Sequence, residues 1–554
     1  MSRSPRLNRV ARGDHRLLSR AAGMPAPTHP DVTVVPDIAV PAADGVTLRT
    51  DHWSAPGAGD ATLLVRTPYG RADIAGMALF FAERGHHVIV QSCRGTFGSG
   101  GRFDPLHDEA ADGAATMSWL RAQPWATGPV HSWGGSYFGV TQWAMVDGGA
   151  GPDGPGVAGS ARGFGEAILY RGGGFSIETL LAWCIALDLQ ERPLLSKIGR
   201  MLRARDRVHR ASFTVPPTEA AVRAHAGDPA FFRDWLAHSA PGDPWWEPLH
   251  FAEELSSIPP TVLLAGWQDL FLEGQLDDYA ALRDAGTAVR LVVGDWTHGA
   301  PGTLVLGARE ALRGFSDPRG GAAVQVEVTG GGGWREPASW PPPSTPEPWQ
   351  ATADGALVRD DGGAVAPGTL SYRYDPDDPT PSAGGRTLNP FTAGRRDQRR
   401  REARDDVLVF TGEELADEVL VAGSPEVELT LSSTNPRVDV FVRLCEVDER
   451  GRSTMITDSY RRLTPDAAAG EERRVRLVLA PIAHRFAPGR RLRLQVSSGA
   501  HPLHLRNPGT EDPVRDFSRL VPSAQTVRLG GADPLRLVLP RTTEDALGAS
   551  SPAP

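Results

Sequence analysis

The periodicity of apolar positions changes twice along the chain and divides it into three regions. Over residues 31–167, short apolar runs such as 61–66 and 87–91 alternate with stretches of helical period. Runs of this length are typical of strands that a parallel sheet buries on both faces. The same texture returns over 251–325. Together the two segments predict one domain built from βαβ units around a parallel sheet.

The segment between them, residues 168–250, has helical rather than strand periodicity. Its apolar positions predict amphipathic helices over 177–189, 194–209 and 231–238. A helical block placed between two strands of one sheet is typical of a lid. We therefore expect a helical cap inserted into the α/β domain.

In the last part of the chain, apolar residues occupy every second position, as they do over 438–444. Repeated period-two runs predict an all-β sandwich or jelly roll over 326–543. The arginine-rich stretch 395–404 is expected to be a solvated loop between strands. The tails 1–30 and 544–554 are expected to be disordered.

The composition fits a globular enzyme and excludes several classes of protein. Of the 554 residues, 40% are hydrophobic and 23% are charged, and the net charge of −9 argues against nucleic-acid binding. No run of about 18 apolar residues exists, so no membrane span is expected. The first 23 residues carry six arginines without an apolar core, which argues against a secretory signal. They are either a disordered arm or an artefact of start-codon choice ahead of Met24.

The cysteines give no sign of a metal site. Cys93, Cys184 and Cys445 are far apart in sequence and have no metal-ligand spacing. A disulfide framework is not expected either, which fits a reducing compartment and predicts a cytoplasmic protein.

The segment with the clearest chemistry runs from residue 130 to 143. A short strand leads into Gly134, Gly135 and Ser136, and a helical pattern follows. This is the arrangement of a nucleophile elbow, in which a sharp strand-to-helix turn presents a serine above the sheet. The usual G-x-S-x-G pattern is incomplete, because Phe138 occupies its fifth position. The alternative is a glycine-rich turn with an incidental serine.

A serine nucleophile needs a base and an acid, which in α/β-hydrolases follow it in the order acid and then histidine. Asp269 comes just after one later predicted strand and His298 just after the next. Their separation of 29 residues suits one βαβ step of roughly 30 residues. We expect His298 to take the serine proton and Asp269 to hold its tautomer. Asp295, on the same loop as His298, is a weaker rival for the acid.

Acyl transfer also needs donors for the oxyanion. One donor is expected to be the backbone N–H of Tyr137, the residue after the nucleophile. The second should come from the loop after an early strand, where the Tyr69 hydroxyl can serve as a side-chain donor. The alternative for Tyr69 is a ring packed at a strand end.

Several motifs together resemble those of the CocE/NonD hydrolases, a family of esterases, acylases and X-prolyl dipeptidyl-peptidases. The resemblance extends over residues 33–540, in the family's order. It is carried by Arg66-Thr-Pro-Tyr69-Gly70, Gln91-Ser-Cys-Arg94-Gly95, Gln123-Pro-Trp125, Gly134-Gly-Ser136-Tyr137-Phe-Gly139, Gly266-Trp-Gln-Asp269, Gly294-Asp-Trp-Thr-His298, Tyr374-Asp-Pro-Asp-Asp-Pro379 and Pro488-Gly-Arg-Arg-Leu-Arg-Leu-Gln-Val-Ser-Ser498. It implies an α/β-hydrolase domain with a helical cap and a C-terminal all-β jelly roll of the galactose-binding-like kind.

The resemblance also assigns roles to residues. It implies a triad of Ser136, Asp269 and His298, with the Tyr69 hydroxyl and the Tyr137 amide forming the oxyanion hole.

The sequence departs from the family pattern at two places. Ser92 stands where many members have Asp, at a position that we interpret as structural. Some members that act on α-amino acid esters have carboxylates two and three residues after the catalytic Asp, where this chain has Phe271 and Leu272. A neutral aromatic wall of Phe271, Trp267 and Trp296 is therefore expected around the acyl pocket. The alternative for these three rings is ordinary core packing.

These observations predict a serine hydrolase that cleaves a small-molecule ester or amide through an acyl-enzyme, with esters favoured. No metal or organic cofactor is expected, and neither a nucleic acid nor a membrane is an expected partner. The alternatives are an X-prolyl dipeptidyl-peptidase, a β-lactam or glutaryl acylase, and more remotely a non-catalytic binding protein that uses the jelly roll. The oligomeric state stays open, with a homodimer as one option.

Overall fold

The structure is a computed structural model that describes residues 23–554, apart from 150, 155, 194–196, 198, 201–202, 240–241, 318–320 and 464. An eleven-stranded sheet dominates its first half, in the order β1-β2-β4-β3-β5-β6-β7-β8-β9-β10-β24. These strands are β1 (Thr33–Pro41), β2 (Thr47–Ser54), β3 (Thr62–Thr67), β4 (His87–Ser92), β5 (Val130–Gly135), β6 (Gly156–Gly159), β7 (Thr261–Gln268), β8 (Val289–Thr297), β9 (Val324–Val328), β10 (Gly333–Glu336) and β24 (Ala549–Ser551).

The centre of this sheet is parallel, from β4 and β3 through to β9, and its flanks are antiparallel. Its strands are apolar because helices cover both faces. Leu63 and Val65 point to one face of the sheet, which two helices cover. Leu64 points to the opposite face, which three helices cover. The first two helices are α1 (Ala75–Ala82) and α9 (Pro301–Ser316), and the other three are α2 (Glu109–Arg121), α3 (Tyr137–Asp147) and α8 (Leu272–Asp284).

A helical insertion, residues 165–257, separates β6 from β7 and fills the predicted cap region. The predicted helices 177–189 and 231–238 are present as α4 and α7. Of the predicted helix 194–209, residues 194–196, 198 and 201–202 lie outside the described part. The insertion contains a π-helical turn (Gly165–Leu169), 3₁₀ turns (Arg171–Gly173, Pro217–Glu219, Pro244–Leu249, Leu255–Ser257) and the helices α4 (Ile177–Gln190), α5 (Ala204–Ser212), α6 (Ala220–Arg223) and α7 (Ala230–Ala237).

The C-terminal β domain, residues 345–541, consists of a nine-stranded and a four-stranded sheet around one apolar core. The predicted β-rich domain is thus present, while its jelly-roll type stays a prediction. Its strands are β11 (Thr345–Ala351), β12 (Leu357–Arg359), β13 (Gly368–Tyr374), β14 (Leu408–Thr411), β15 (Val419–Gly423), β16 (Glu426–Ser433), β17 (Asp439–Val447), β18 (Ser453–Arg462), β19 (Arg473–Val478), β20 (Ile482–Phe486), β21 (Arg491–Ser497), β22 (Ser523–Leu529) and β23 (Arg536–Arg541), with the short helix α10 (Arg399–Glu402) before β14.

The predicted disorder of residues 544–554 is wrong. Helix α11 (Glu544–Leu547) buries Leu547 completely, and β24 then pairs with β10 at the edge of the main sheet. An edge strand presents unpaired backbone groups, and the tail satisfies those of β10. The sheet therefore extends beyond the predicted boundary at residue 325.

The other predicted flexible segments are also better ordered than their composition indicates. Of the tail 1–30, residues 1–22 lie outside the described part, but the backbone N–H groups of Thr28 and His29 both donate to the Glu83 carbonyl. In the stretch 395–404, Gln398 is fully buried, and Arg401 donates to the carbonyls of Pro381 and Ser382. Within the described residues, no helix combines the length and the apolar character needed to cross a membrane.

Candidate active site

Ser136 lies at a strained turn between β5 and α3. Its backbone has φ 57° and ψ −135°, a conformation that non-glycine residues rarely adopt and that is common at functional sites. Gly134 has φ +142°, and a Cβ there would lie 2.3 Å from the Cβ of Phe138. A Cβ at Gly139 would lie 2.4 Å from the Cβ of Ser160. Phe138 thus packs over the first glycine of the turn, and Gly139 provides the close approach between helix and sheet.

Asp269 and His298 follow the carboxyl ends of the neighbouring parallel strands β7 and β8, and their side chains meet. The Nδ1 atom of His298 lies 3.1 and 3.0 Å from the two carboxylate oxygens of Asp269. The carboxylate also accepts the backbone N–H of Phe271 at 2.9 Å, which fixes its orientation. Burial opposes protonation of the imidazole, but the charge and hydrogen bond of Asp269 outweigh it and raise the pKa of His298.

The rival acid, Asp295, is engaged elsewhere. Its carboxylate forms an ion pair with Arg395 of the C-terminal β domain, and its backbone N–H donates to Glu327 at 2.8 Å. The contact with His298 Nδ1 is made by Asp269.

The hydroxyl of Tyr69 lies beside the elbow. Its oxygen accepts a hydrogen bond of 3.0 Å from Nε1 of Trp183 in the helical insertion. Burial raises the pKa of Tyr69 to about 12, although hydrogen bonding with Trp183 and Ser136 opposes the change. The phenol therefore keeps its proton at neutral pH. Because Trp183 donates to the phenol oxygen, the phenol proton can be donated to another acceptor.

The side chain of Tyr137 is anchored in the core. Its hydroxyl donates to Glu109 at 3.0 Å and accepts the backbone N–H of Leu106 at 2.9 Å, and Glu109 is paired with the buried Arg66 at 2.9 Å. Tyr137 is also the first residue of α3, where a backbone N–H has no intrahelical acceptor. Because Tyr137 directly follows Ser136 in the chain, that N–H lies next to the serine.

These groups surround a partly open cavity between the hydrolase domain, the helical insertion and the C-terminal β domain. Its lining is almost entirely apolar or aromatic, and among the described residues that line it none carries a carboxylate. The lining residues are Tyr69, Ser136, Tyr137, Phe164, Ile168, Thr179, Leu180, Trp183, Leu270, Phe271, His298 and Leu388.

Of the three rings predicted to form the acyl pocket, only Phe271 lines the cavity, with its ring centre 5.4 Å from that of His298. Trp267 is still inside strand β7, and its Nε1 donates to the Glu327 carbonyl at 2.7 Å while its ring packs on Trp340. Trp296 fills the space left by two glycines, since a Cβ at Gly294 would lie 1.8 Å from its ring. The prediction is wrong for both tryptophans, because position near a strand end does not determine which way a side chain points.

Most of the opposite wall of the cavity was not predicted from the sequence. Thr179, Leu180 and Trp183 lie on one face of α4, a spacing that an amphipathic pattern can reveal. Leu388 comes from a loop of the C-terminal β domain and has no such signal. Among the described residues, no cluster of three or more His, Cys, Asp or Glu side chains could hold a metal ion, and all three cysteines are buried and unpaired.

Comparison with known proteins places the chain in a family. The family model of X-Pro dipeptidyl-peptidase (S15 family) matches residues 44–300, and that of the X-Pro dipeptidyl-peptidase C-terminal non-catalytic domain matches residues 320–538. The cocaine esterase of Rhodococcus sp. (strain MB1 Bresler) is 31% identical over 92% of this chain and 98% of its own. The chain is a member of the CocE/NonD family of serine hydrolases.

Solved structures with lower identity share the fold of this CocE/NonD member. An aminopeptidase from a marine sediment Thaumarchaeota archaeon has a TM-score of 0.76 and 22% identity, and an α-amino acid ester hydrolase has a TM-score of 0.75 and 22% identity. Each alignment covers 94% of this chain and 98% of the other. These structures show the shared fold, and the cocaine esterase at 31% identity over 92% of this chain confirms the predicted family resemblance.

Proposed function

We propose that this enzyme hydrolyses a carboxylic ester with an uncharged, largely apolar acyl group, through a covalent acyl-enzyme on Ser136. The observation that carries the proposal is the position of His298. Its Nδ1 is held by Asp269 at 3.0 Å, and its ring lines the cavity that also contains Ser136 and Tyr69. This is the arrangement that a serine needs to become a nucleophile at neutral pH.

In the first half of the reaction, Ser136 Oγ attacks the ester carbonyl carbon while Nε2 of His298 takes the serine proton. Asp269 keeps the other ring proton on Nδ1 and stabilises the imidazolium. The carbonyl oxygen becomes an oxyanion that accepts hydrogen bonds from the Tyr69 hydroxyl and the Tyr137 N–H. The carbon–oxygen bond to the alcohol then breaks, and His298 returns its proton to the leaving alkoxide.

In the second half, a water molecule gives its proton to His298 and attacks the acyl carbon. The same two donors stabilise the second oxyanion, the bond to Ser136 breaks, and His298 reprotonates the serine. The products are the carboxylic acid and the free enzyme. No step requires a metal or an organic cofactor.

The cavity lining supports an uncharged acyl group. The rings of Phe164, Phe271 and Trp183 offer apolar surface, and no carboxylate lines the cavity among the described residues. A substrate with a free amino group would leave its ammonium in this apolar space without a partner, which is unfavourable. Some family members that act on α-amino acid esters have carboxylates two and three residues after the catalytic Asp. This chain has Phe271 and Leu272 at those positions.

The second candidate is removal of a dipeptide after proline, and it rests on the name of the matching family model. That reaction needs recognition of a free N-terminus. The two proposals are separated by rates on p-nitrophenyl esters, from acetate to benzoate, beside Gly-Pro p-nitroanilide. We expect kcat/KM to increase with the apolar surface of the acyl group and the anilide to be a poor substrate. Efficient cleavage of the anilide, abolished in Ser136→Ala, would overturn the ester preference.

A further inference from the structure

A chain of buried and half-buried charges joins the three parts of the molecule close to the candidate active site. Arg386 of the C-terminal β domain forms an ion pair with Asp458 at 2.8 Å and also lies 3.5 Å from the carboxylate of Glu273 in α8. Arg171 of the helical insertion lies 3.7 Å from the same Glu273 carboxylate and donates to the Arg386 carbonyl at 3.1 Å. Glu273 is thus held between two arginines from two other parts of the chain.

Glu273 lies one helical turn beyond the predicted catalytic acid. Helix α8 begins at Leu272, only three residues after Asp269, and the Asp269 carboxylate accepts the N–H of Phe271 from the same turn. Asp269 and Glu273 therefore belong to one short, hydrogen-bonded segment. Any displacement of the start of α8 would move the Asp269 carboxylate relative to His298.

The loop that supplies Arg386 also contacts the segment that carries His298. We call residues 386–395 the clamp loop. Arg395 at its far end pairs with Asp295, three residues before His298. Next to it, Gly394 approaches Thr297 so closely that a Cβ would lie 3.2 Å from the threonine methyl carbon. Between these two contacts, Leu388 of the same loop lines the cavity.

The ion pair of Arg386 with Asp458 is costly to disturb because both side chains are buried. The side chains of Arg386 and Asp458 are only 3% and 4% exposed. Removal of one partner leaves an uncompensated charge in the interior, so the arrangement is held as a unit. The clamp loop therefore has a defined position from which to hold other groups.

We propose that the clamp loop positions the acid–base pair of the hydrolase domain, with Arg386 holding the Asp269 segment through Glu273 and Arg395 holding the His298 segment through Asp295. Arg386 is thus a positioning residue contributed by a different domain. The inference rests on the proposed function, because it assumes that Asp269 and His298 act as the catalytic pair.

The sign of a pH effect separates positioning from a simple charge effect. The charged or titratable groups around the pair are Tyr69, Arg171, Glu273, Asp295, Arg386 and Arg395. Loss of the Arg386 charge alone would favour protonated His298 and move the acid limb of kcat/KM to higher pH. Loosening the contact between Asp269 and His298 would instead disfavour the protonated form and move the limb to lower pH.

The test measures kcat/KM for p-nitrophenyl acetate, and the rate of inactivation by a fluorophosphonate, from pH 5 to pH 9 in the full-length enzyme. For Arg386→Met we expect an acid limb at lower pH and a plateau reduced roughly ten- to hundredfold, the size expected when reacting groups are slightly misplaced. A wild-type plateau with an unmoved limb, or a limb moved to higher pH, would overturn the proposal.

Arg506→Met is the matched control, because Arg506 is also a buried arginine that joins the C-terminal β domain to the helical insertion, through the Phe213 carbonyl at 2.9 Å. We expect it to lower Tm and leave the acid limb in place. An equal movement of the limb in Arg506→Met would show that general loosening of the domains is the cause, and the clamp would be rejected.

Two further variants keep the outcome decisive. If Arg386→Met does not fold, Arg386→Lys retains the charge but replaces the planar guanidinium by a compact ammonium, so we expect a smaller loss with the limb moved the same way. Wild-type behaviour in Arg386→Lys would then overturn the clamp. Asp269→Asn should move the limb in the same direction. If the acid limb of Asp269→Asn does not move to lower pH, the proposed function is rejected. If the limb moves in Asp269→Asn but not in the Arg386 variants, only the clamp proposal is rejected.

Discussion

The two sides of the cavity are built in different ways. On one side, Ser136, His298 and Tyr69 all come from turns at the carboxyl ends of β5, β8 and β3 in one parallel sheet. On the other side, the wall combines one face of α4 with Leu388 from a loop more than 200 residues further along the chain. The first side is determined by the sheet, and the second by the way in which three parts of the molecule pack together.

The packing between the helical insertion and the C-terminal β domain is unusually close. A Cβ at Gly172 would lie 1.7 Å from the Tyr460 carbonyl oxygen, and one at Gly174 would lie 2.3 Å from the Tyr460 ring. Backbone hydrogen bonds cross the same boundary, from Leu505 to Phe175 at 2.7 Å and from Glu178 to Pro502 at 3.1 Å. We therefore predict that substitutions of cavity-lining residues on the sheet side change kcat. Substitutions of cavity-lining residues on the packed side should change substrate binding.

The largest effect is expected for Ser136→Ala, which removes the nucleophile from the sheet side. Loss of a catalytic serine costs about 10⁶ in kcat, while the fold should be unchanged. A fluorophosphonate should label Ser136 in the wild type and nothing in the variant. Ser132→Ala is the matched control, because Ser132 lies in the strand that leads into this turn and its hydroxyl donates to Gln142. Substantial activity in Ser136→Ala would contradict the assignment.

The second-largest effect is expected for Asp269→Asn. It should lower kcat by about four orders of magnitude, because the amide favours the wrong tautomer of His298. The measurement is steady-state kinetics on an activated ester. Asp295→Asn is the comparison, since its carboxylate pairs with Arg395 rather than with His298; its loss should be smaller, at most about hundredfold, because it only loosens the clamp loop. A larger loss in Asp295→Asn would show that the acid is misassigned.

Tyr69→Phe should lower kcat by about 10²–10³ with a smaller effect on KM, because one oxyanion donor is lost. Tyr137→Phe provides a sharp contrast. Its proposed donor is the backbone N–H, which the substitution keeps, so we expect kcat near wild type. Tm should fall in this control, because the buried Glu109 loses the Tyr137 hydroxyl. Near wild-type kcat in Tyr69→Phe would place the second donor elsewhere.

The pH profile is expected to lose activity about tenfold per pH unit on its acid side, with the midpoint above 6.5. His298 must be neutral to accept a proton, and Asp269 raises its pKa. The same raised pKa adds stability that is full below about pH 6.5 and is lost as the pH rises through the folded value. kcat/KM and Tm measured across pH 5–9 test both trends. An acid limb centred below 6.5 would contradict the contact between Asp269 and His298.

The sequence predicted the sheet side well because it depends on local signals. Glycines at the turn and apolar runs before Asp269 and His298 mark the ends of adjacent strands, and side chains at those ends must lie close together. Trp267 and Trp296 were misassigned because a strand end does not reveal which face a ring occupies. Leu388 was missed because its position depends on docking between distant parts of the chain. The ordered tail 549–551 was missed for the same reason, since its partner β10 lies more than 200 residues earlier.

The smallest effect is expected for Leu388→Ala, on the packed side of the cavity. Removing this half-buried side chain takes apolar contacts from the acyl group but leaves the reacting groups in place, so KM should rise and kcat should change little. A lost methylene contact in a hydrophobic pocket is worth about 1–3 kcal/mol, and partial exposure suggests the lower end, about tenfold. The effect should grow from p-nitrophenyl acetate to the benzoate.

Leu370→Ala is the control. Leu370 is also partly buried but packs on the core of the C-terminal β domain, so this substitution should leave KM unchanged. If Leu388→Ala lowers kcat on every ester equally and leaves KM in place, the division of labour between the two sides of the cavity is wrong.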